Sequence, residues 1–370
     1  MPLRWRERKT RVSSEVYRLR EKTTQENWLE IRITVDCRAL PSQRCNGHRN
    51  SVRPAYKSKL AFVLLCLLFI ISQPIQSQSE PSILLVVFSH DKPRSQKAYQ
   101  QIVKGIEKHV DLRIVEQTLN SVTDTSEINS LVNKHNASAI VLLGRKAIEH
   151  FKDKSLPVPV ITGGTLYPTF KQQNFYGLSL TPAPGLLFKK LIEFSPDVKK
   201  IHVVYNPDKY QWLINSANQS AEELNLELVS YKASNLRSSA KLHRKIIENN
   251  ISKSKNEAIW LLHDSQLVGN SDVLPYLLRE AWAKEIIIFS SNPQHVQRGA
   301  LLSLYSEREL SGEELGNLAK KVLTRKEELG DDFFAATQLK TTINIRSAGH
   351  LGIRFNSEQL KTFDLIFPRK

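Results

Sequence analysis

The chain has 370 residues, which is enough for two or three domains. Its 41% hydrophobic and 24% charged residues are typical of a globular protein with a sizeable core. The formal net charge of +16 first suggests nucleic acid or a membrane surface, but residues 1–59 alone hold 15 Lys and Arg against 6 Asp and Glu. The remainder therefore carries only 16 − 9 = +7 and has no dense basic run with interleaved aromatic residues, so we expect no nucleic-acid binding.

All three cysteines, Cys37, Cys45 and Cys66, precede residue 80. The body of the chain therefore needs no disulfide and exposes no thiol to an oxidising compartment. A metal site with thiolate ligands is excluded there for the same reason.

Residues 60–71 form a continuous apolar run, which is shorter than the roughly 20 residues of a membrane span. Lys57 and Lys59 precede the run, and small polar residues follow it up to position 79. This pattern is typical of a secretory signal peptide, with cleavage before Glu80 and export to the periplasm. The alternative is an uncleaved anchor that tethers the protein to the membrane. Leu65, before Cys66, argues against a lipoprotein site because such a site needs a small residue there.

Residues 1–51 are basic, rich in arginine and without a hydrophobic period. We expect this segment to be a non-native or disordered extension, with translation starting at Val52 and residues 52–79 forming the signal peptide. Met1 is the only methionine, so no internal methionine offers another start. Peptides from residues 1–51 found in cells by mass spectrometry would contradict this expectation.

From residue 83 onward, short apolar runs alternate with amphipathic stretches. The apolar runs predict strands and the 3.6-residue periodicity predicts helices. In chain order the first half reads strand 83–88, helix 95–109, strand 112–115, helix 125–135, strand 139–143, helix 145–151 and strand 158–161. Near-continuous apolar strands separated by helices indicate a parallel sheet that is covered on both faces.

The same pattern then begins again, and residues 86–92 match residues 203–209 in type at five of seven positions. The second half reads strand 200–205, helix 211–224, strand 226–231, helix 237–249, strand 258–262, helix 273–284 and strand 285–290. We expect residues 177–184 to cross between the halves, the strand 300–305 to lead back before the helix 307–325, and the strand 341–345 to cross again.

These elements predict an α/β fold of two Rossmann-like lobes with parallel sheets, joined by a multi-strand hinge. Lobe 1 takes residues 80–180 plus 305–340, and lobe 2 takes residues 181–304 plus 341–370. Several crossings would keep the lobes in register while letting them close like a hinge.

Ligands of parallel α/β sheets bind outside the carboxyl ends of the strands, and two facing lobes would place those ends around one cleft. The residues that follow predicted strands are therefore the candidate ligand-binding residues. In lobe 1 they are Ser89, His90, Gly144, Arg145, Gly163, Gly164 and Thr165. In lobe 2 they are Tyr205, Asn206, His263, Asp264 and Ser291.

Several of these residues have a second interpretation. Gly163 and Gly164 form either a tight turn or a backbone donor site for a carboxylate or phosphate. Arg145 opens a predicted helix, where it either holds an anion or stays in solvent. Asp264 either pairs with a ligand amine or caps the helix that starts near Ser271.

Aromatic residues lie beside the same loops and either wall the cleft or pack in the core: Tyr167, Tyr205, Tyr210 and Trp212. His90 and His263 occupy corresponding loops but lack a third ligand at recognisable spacing, so we expect no metal.

An enzyme is the second hypothesis. The sequence has no nucleophile elbow, phosphate loop or dinucleotide fingerprint, so we expect neither catalysis nor a cofactor.

Four stretches together resemble the ABC transporter substrate-binding protein family whose members include tryptophan- and other aromatic amino-acid-binding proteins. They are residues 139–147, 156–164, 191–206 and 343–353, and the last carries an Asn-x-x-x-Ala-x-x-Leu-Gly-Ile pattern. The resemblance extends from about residue 83 to residue 367. It implies a type I periplasmic-binding-protein fold and capture of a small molecule, amino-acid-like or a small organic anion, in the interlobe cleft.

The resemblance also implies, as partners, a permease and an ATPase of an ABC transporter; a ligand-sensing subunit of a membrane signalling protein is the alternative. We expect a monomer in the periplasm. This chain departs from the family at two cleft loops. Gly144-Arg145-Lys146-Ala147 stands where Thr-Pro or Thr-x-Ala is usual, and Leu166-Tyr167-Pro168 stands where Asp-Pro is usual. Both departures leave room for an anionic ligand.

Overall fold

The computed structural model describes residues 83–89, 93–109, 111, 113–119, 125–167, 174–250, 256–269, 273–324 and 333–369. The predicted signal peptide, the residues before it and His90 lie outside these ranges. Residues Gln78–Lys370 form one compact unit, and every described strand, helix and core cluster lies within it.

The first part of the unit alternates strands and helices. Its elements are β1 (Ile83–Ser89), α1 (Pro93–His109), β2 (Arg113–Leu119), α2 (Thr125–His135), β3 (Ala139–Leu143), α3 (Arg145–Phe151), β4 (Val160–Thr165) and β5 (Phe175–Pro182). With β11 (Phe333–Ala336), these strands form sheet 1 in the order β11-β5-β4-β3-β1-β2, and all of its pairs are parallel.

The alternation continues in the second part. Its elements are α4 (Pro184–Phe194), β6 (Lys200–Tyr205), α5 (Pro207–Glu223), β7 (Glu227–Lys232), α6 (Leu236–Lys245, extended by a π-helical turn over Ile246–Asn250), β8 (Glu257–Leu261), α7 (Val273–Lys284), β9 (Ile287–Ser290), α8 (Pro293–Arg298) and β10 (Leu302–Tyr305). The last elements are α9 (Arg308–Thr324), β12 (Lys340–Asn344), α10 (Ile345–His350), α11 (Ser357–Lys361) and β13 (Leu365–Phe367).

Sheet 2 has the order β13-β12-β10-β9-β8-β6-β7. Its pairs are parallel except that β12 runs antiparallel to β10. The prediction of purely parallel sheets is therefore wrong at this pair. The reason is that β12 enters sheet 2 from the end of sheet 1 without an intervening helix, so it runs away from the first lobe.

Each sheet is buried on both faces, which explains why its central strands are continuous apolar runs. β3 is buried at all five positions, and β8 likewise. One apolar cluster covers each face of sheet 1 and one covers each face of sheet 2. The predicted α/β fold of two lobes is confirmed at this level.

Several element boundaries differ from the sequence prediction. Residues 162–165, predicted as a loop, form the last part of β4, because the strand pairs with β3 as far as Gly163 and with β5 as far as Thr165. Residues 175–182 form a full strand rather than a simple crossing. The short elements α8, α10, α11, β11 and β13 were not predicted, because each offers too few residues to show a period. Helix α4 has 11 residues and was also missed.

The backbone passes between the sheets at three places: after β5, after β10, and between β11 and β12. Ala183 N donates to Ala336 O at 2.8 Å, which joins the first and third passages directly. Glu314 of α9 accepts a hydrogen bond at 2.7 Å from the amide of Thr337, just after β11. These bonds hold the connecting segments against each other where two lobes would hinge.

Candidate functional site

Tyr167 follows β4 and stands at the centre of the contacts between the two sheets. Its hydroxyl oxygen accepts a hydrogen bond at 2.6 Å from Arg145 Nη2, at the start of α3. Its ring meets the ring of Tyr210, on α5 of the other lobe, edge to face at 5.8 Å. Lys209 Nζ lies 5.4 Å from the Tyr167 ring centroid. Residues that follow β3, β4 and β6 therefore meet at the carboxyl ends of the two sheets, which is where parallel α/β sheets bind their ligands.

Asp264 supplies the buried carboxylate of this region. It follows β8 and is 5% exposed. Its Oδ1 accepts from the amide of Gln266 at 2.9 Å and lies 3.5 Å from Lys209 Nζ. Its Oδ2 is buried and has no hydrogen-bond partner among the described residues. A buried carboxylate oxygen without a donor is costly, so a donor from outside the protein is the simplest way to satisfy it.

The side chains around Asp264 fix its position. Lys209 Nζ donates to Gln266 Oε1 at 2.6 Å, so the lysine spans the loop after β8 as well as the aspartate. Tyr210 donates its hydroxyl hydrogen to His263 O at 2.9 Å. Burial, followed by the nearby Asp264 carboxylate, raises the pKa of Tyr210 well above its usual range. Tyr210 therefore stays a neutral donor and ties α5 to the loop that carries Asp264.

Two glycines, Gly144 and Gly164, lie on the lobe 1 side of the region. Gly144 directly follows β3 and has φ of 83°, and a Cβ there would clash with the Tyr99 hydroxyl. Its amide donates to Gly163 O at 2.8 Å. Gly164 has φ of 71°, although a Cβ there would make only ordinary contacts. Both positions therefore favour glycine for their backbone conformation, and Gly144 also for the close approach of Tyr99.

Thr165 is the last residue of β4 and comes two residues before Tyr167. It is 9% exposed, and its hydroxyl oxygen Oγ1 has no partner within the described ranges. Gly163 lies inside β4 with the Leu315 side chain against it, so its side faces α9 rather than a cleft. Gly163 and Gly164 both lie inside β4 rather than in a turn, and the pairing of β4 with β5 shifts register between Thr162 and Thr165. Gly163 is a packing position, and anion binding by either glycine stays a prediction.

Three predicted site residues of lobe 2 already have partners inside the fold. Asn206 caps α5 and accepts from the amide of Asp208 at 3.0 Å. Tyr205 donates its hydroxyl hydrogen to Gln211 Oε1 at 2.9 Å. Ser291 is 4% exposed, and its Oγ accepts from Trp260 Nε1 at 3.0 Å. Each is buried close to its strand end, and these bonds give each a role in holding the loops.

The remaining predicted residues divide by exposure. Ser89 is buried at the end of β1, whereas His263 is exposed beside Asp264. His90 lies outside the described residues. Asp264 does not cap a helix, because its Oδ1 bonds to Gln266 in the local turn and α7 begins at Val273.

Lys209, Gln266 and Tyr99 were missed as candidates. Lys209 and Gln266 lie several residues after the ends of β6 and β8, and Tyr99 lies in the middle of α1. Their distance from a strand end therefore gave no indication of a role in the site.

Within the described residues, no group of three or more His, Cys, Asp or Glu side chains is arranged to hold a metal ion. No helix in that part of the chain has both the length and the apolar character of a membrane span.

The fold has a solved counterpart in the ligand-free, open structure of CD0873 from Clostridium difficile, titled a substrate binding protein with adhesive properties. The two share 17% identity over 77% of this chain and 98% of that one, with a TM-score of 0.50. An ABC domain in complex with L-Trp from Streptococcus pneumonia shares 19% identity over 78% of this chain and all of that one, with a TM-score of 0.46. A conserved domain protein from Vibrio cholerae shares 21% identity over the same proportions, with the same TM-score.

The likeness to CD0873 shows the fold alone, which is the α/β fold of type I periplasmic binding proteins. Residues 186–364, just under half of the chain, match the family model described as ABC transporter substrate binding protein. The match confirms, over these residues, the resemblance seen in the sequence. No curated protein matches the chain.

Proposed function

We propose that this protein is the extracytoplasmic solute-binding component of an ABC transporter, and that it captures a small carboxylate-bearing solute between its lobes. The family match supports a solute-binding role. The observation that carries the proposal is the unpartnered, buried Oδ2 of Asp264. Lys209, which lies beside Asp264, also contacts Tyr167 of lobe 1. A ligand that bonds Asp264 on one side and Arg145 on the other would contact both lobes at once.

The charges of the site favour an anion that also carries a hydrogen-bond donor. Asp264 already has Lys209 at 3.5 Å, so the two charges largely compensate each other. Arg145, whose side chain donates to Tyr167, adds a further positive charge. The net charge of +1 from Asp264, Lys209 and Arg145 suits a monocarboxylate. A guanidinium group binds the two oxygens of a carboxylate through two parallel hydrogen bonds. A hydroxyl or amino group on the same molecule would donate to Asp264 Oδ2.

Closure would follow as a shift of population. An open form exposes the cleft, and only a closed form lets one solute satisfy both Arg145 and Asp264. To change an equilibrium from 1:99 to 99:1, the solute must bind the closed form about 10⁴-fold more tightly. The three chain passages would serve as the hinge. Delivery to a permease and ATPase, and export by the signal peptide, are parts of the same proposal.

A thermal-shift screen of residues 80–370 tests the proposal. The panel contains α-amino acids, α-hydroxy acids, dicarboxylates, nucleosides and inorganic anions. A ligand at 100 times its Kd adds about 2.7 kcal/mol of stability. We expect stabilisation by α-hydroxy or α-amino monocarboxylates, with the ligand recovered unchanged.

Arg145→Ala and Asp264→Asn should each abolish most of the shift while the protein without ligand still unfolds cooperatively. Lys134→Ala is the matched control, because Lys134 is an exposed cation at the far end of α2. A ligand that stabilises all three variants equally would place binding elsewhere. Consumption of the ligand would indicate an enzyme.

A further inference from the structure

A cationic surface lies on the outer helices of lobe 2, on elements that the proposed ligand site does not use. Helix α6 contains four exposed cations and no acidic residue: Arg237, Lys241, Arg244 and Lys245. Their spacing of four, three and one residues places them on one face of the helix. The helix ends in a π-helical turn that begins at Ile246.

Helix α7 packs beside α6 and adds aromatic residues to this surface. Tyr276, Arg279 and Trp282 follow each other at intervals of three and form one stripe along α7. Arg244 Cζ lies 5.8 Å from the Tyr276 ring centroid, and Arg279 Cζ lies 5.7 Å from it. The arginine of α6 and the stripe of α7 are therefore one continuous surface. We call it the α6/α7 face, and it consists of Arg237, Lys241, Arg244, Lys245, Tyr276, Arg279 and Trp282.

Trp282 is 40% exposed, although tryptophan buries most of its area in the average fold. The His350 ring stacks on it at 3.7 Å, and Arg346 Cζ lies 5.4 Å from its centroid. The neighbouring Ile345 is 39% exposed. The end of the α6/α7 face thus combines an indole ring with an apolar side chain and a further cation.

The acidic residues nearby do not neutralise this face. Arg244 Nε lies 3.9 Å from Glu248, and Arg279 Nε lies 3.3 Å from Glu280. The two arginine side chains remain 66% and 71% exposed, and such surface ion pairs contribute little. An anionic partner would therefore meet an excess of positive charge.

We infer that the α6/α7 face binds the surface of an anionic phospholipid bilayer. Basic residues near such a surface each contribute about 1 kcal/mol, and tryptophan and tyrosine favour the region of the lipid headgroups. The lysines of the face distinguish this partner from a protein, because lysine is depleted at protein–protein interfaces. Binding would hold the long side of lobe 2 against the membrane and leave the cleft accessible.

Vesicle co-sedimentation of residues 78–370 tests the inference, because this compact unit lacks the apolar run at 60–71. The probes are phosphatidylcholine vesicles with and without phosphatidylglycerol. We expect binding that requires phosphatidylglycerol and weakens as NaCl rises from about 0.1 M to about 1 M, which shortens the Debye length to about 3 Å. The emission of Trp282 should shift to shorter wavelength on binding.

The double variant Lys241→Glu and Lys245→Glu should weaken partitioning at least about tenfold. Its matched control is Lys320→Glu with Lys321→Glu, which makes the same charge change in the last turn of α9 on lobe 1. Trp282→Ala should abolish the spectral shift and weaken binding severalfold.

Equal loss in both double variants would mean that net charge alone acts, and the inference would be wrong. It would equally fail if phosphatidylglycerol had no effect. Tighter binding to soluble polyglutamate than to vesicles would assign the face to an acidic protein instead.

Discussion

The two lobes end their strands with different residues, although both are parallel sheets covered by helices. In lobe 2, asparagine follows β6 and β9 and caps the next helix, through Asn206 and Asn292. In lobe 1, β3 ends at Leu143, and Gly144, which has no side chain, leaves the start of α3 without a side-chain cap. Lobe 2 thus uses the polar side chains at its strand ends for its own structure, and lobe 1 leaves its helix start open beside Arg145.

This difference distinguishes polar residues whose hydrogen bonds are already used within the fold from polar residues that can still bind a ligand. A polar residue at a strand end is a reasonable candidate for ligand binding, but a cap or a buried hydrogen bond commits it to the fold. Asp264 and Thr165 each keep a buried oxygen without a partner within the described residues, so they remain open to a ligand.

Low pH should give the largest difference between the lobes, because it should lower the stability of lobe 2. His243 and His295, both in lobe 2, are 1% and 3% exposed, and burial lowers the pKa of each from 6.5 to about 4. Below pH 6.5 the unfolded chain binds protons that the folded lobe does not. Stability should therefore fall as the pH drops from 6.5 towards 4, by up to about 3 kcal/mol for each histidine.

Urea unfolding at pH 7 and pH 4.5 measures the effect. In residues 78–370, tryptophan emission reports on lobe 2, because the three tryptophans of this segment, Trp212, Trp260 and Trp282, lie there. His243→Leu should flatten the pH dependence by about half. A pH profile that the substitution leaves unchanged would contradict the assignment to buried histidines.

Lobe 1 should instead be sensitive to the size of side chains between α1 and α9. The two helices cross so closely that a Cβ on Gly105 would lie 2.0 Å from Glu309 O, and one on Gly312 would lie 2.0 Å from Ile102 O. Gly312→Ala should cost about 1–3 kcal/mol of unfolding free energy, because backbone atoms cannot move aside cheaply.

Gly349→Ala is its control, since that helical glycine has no atom within 4 Å of an added Cβ. It should be neutral or slightly stabilising. Equal effects of the two substitutions in urea titrations would show that helix propensity, rather than the crossing, controls stability.

The caps of lobe 2 should give the smallest measurable effect. Asn292 accepts a hydrogen bond from the Gln294 amide at 3.0 Å, and Asn292→Ala should cost about 1 kcal/mol. Asn317→Ala, at an exposed position inside α9, should cost nothing. If Asn292→Ala were as harmless in thermal unfolding, asparagine would not be committed to the fold, and the contrast between the lobes would disappear.

The long elements could be predicted from the sequence because buried strands and amphipathic helices show clear periods. Helix 125–135, strand 139–143, helix 145–151, strand 200–205 and helix 273–284 were predicted with the boundaries that the structure has. The short β11 and β13 carry no such signal, since partners distant in sequence determine three- and four-residue strands.

The candidate site could be predicted only as a set of loops. Arg145 and Asp264 lie 119 positions apart in the sequence, and no local pattern says that both meet the Tyr167–Tyr210 pair. Lys209 lies in the repeated segment 203–209, but no local pattern gives it a role, because its contact with Asp264 depends on the path of another loop. Whether these residues bind a solute stays a prediction.

The antiparallel course of β12 determines what the segment 343–353 does. The strand ends at Asn344, at the end of sheet 2 away from the contacts between the two sheets. There Asn344 caps α10 through the amides of Arg346 and Ser347, and its own amide group donates to Val296 O at 2.8 Å. Asn344, in the stretch with the clearest family resemblance, therefore acts in the scaffold, where it joins the end of β12 to α10 and to α8.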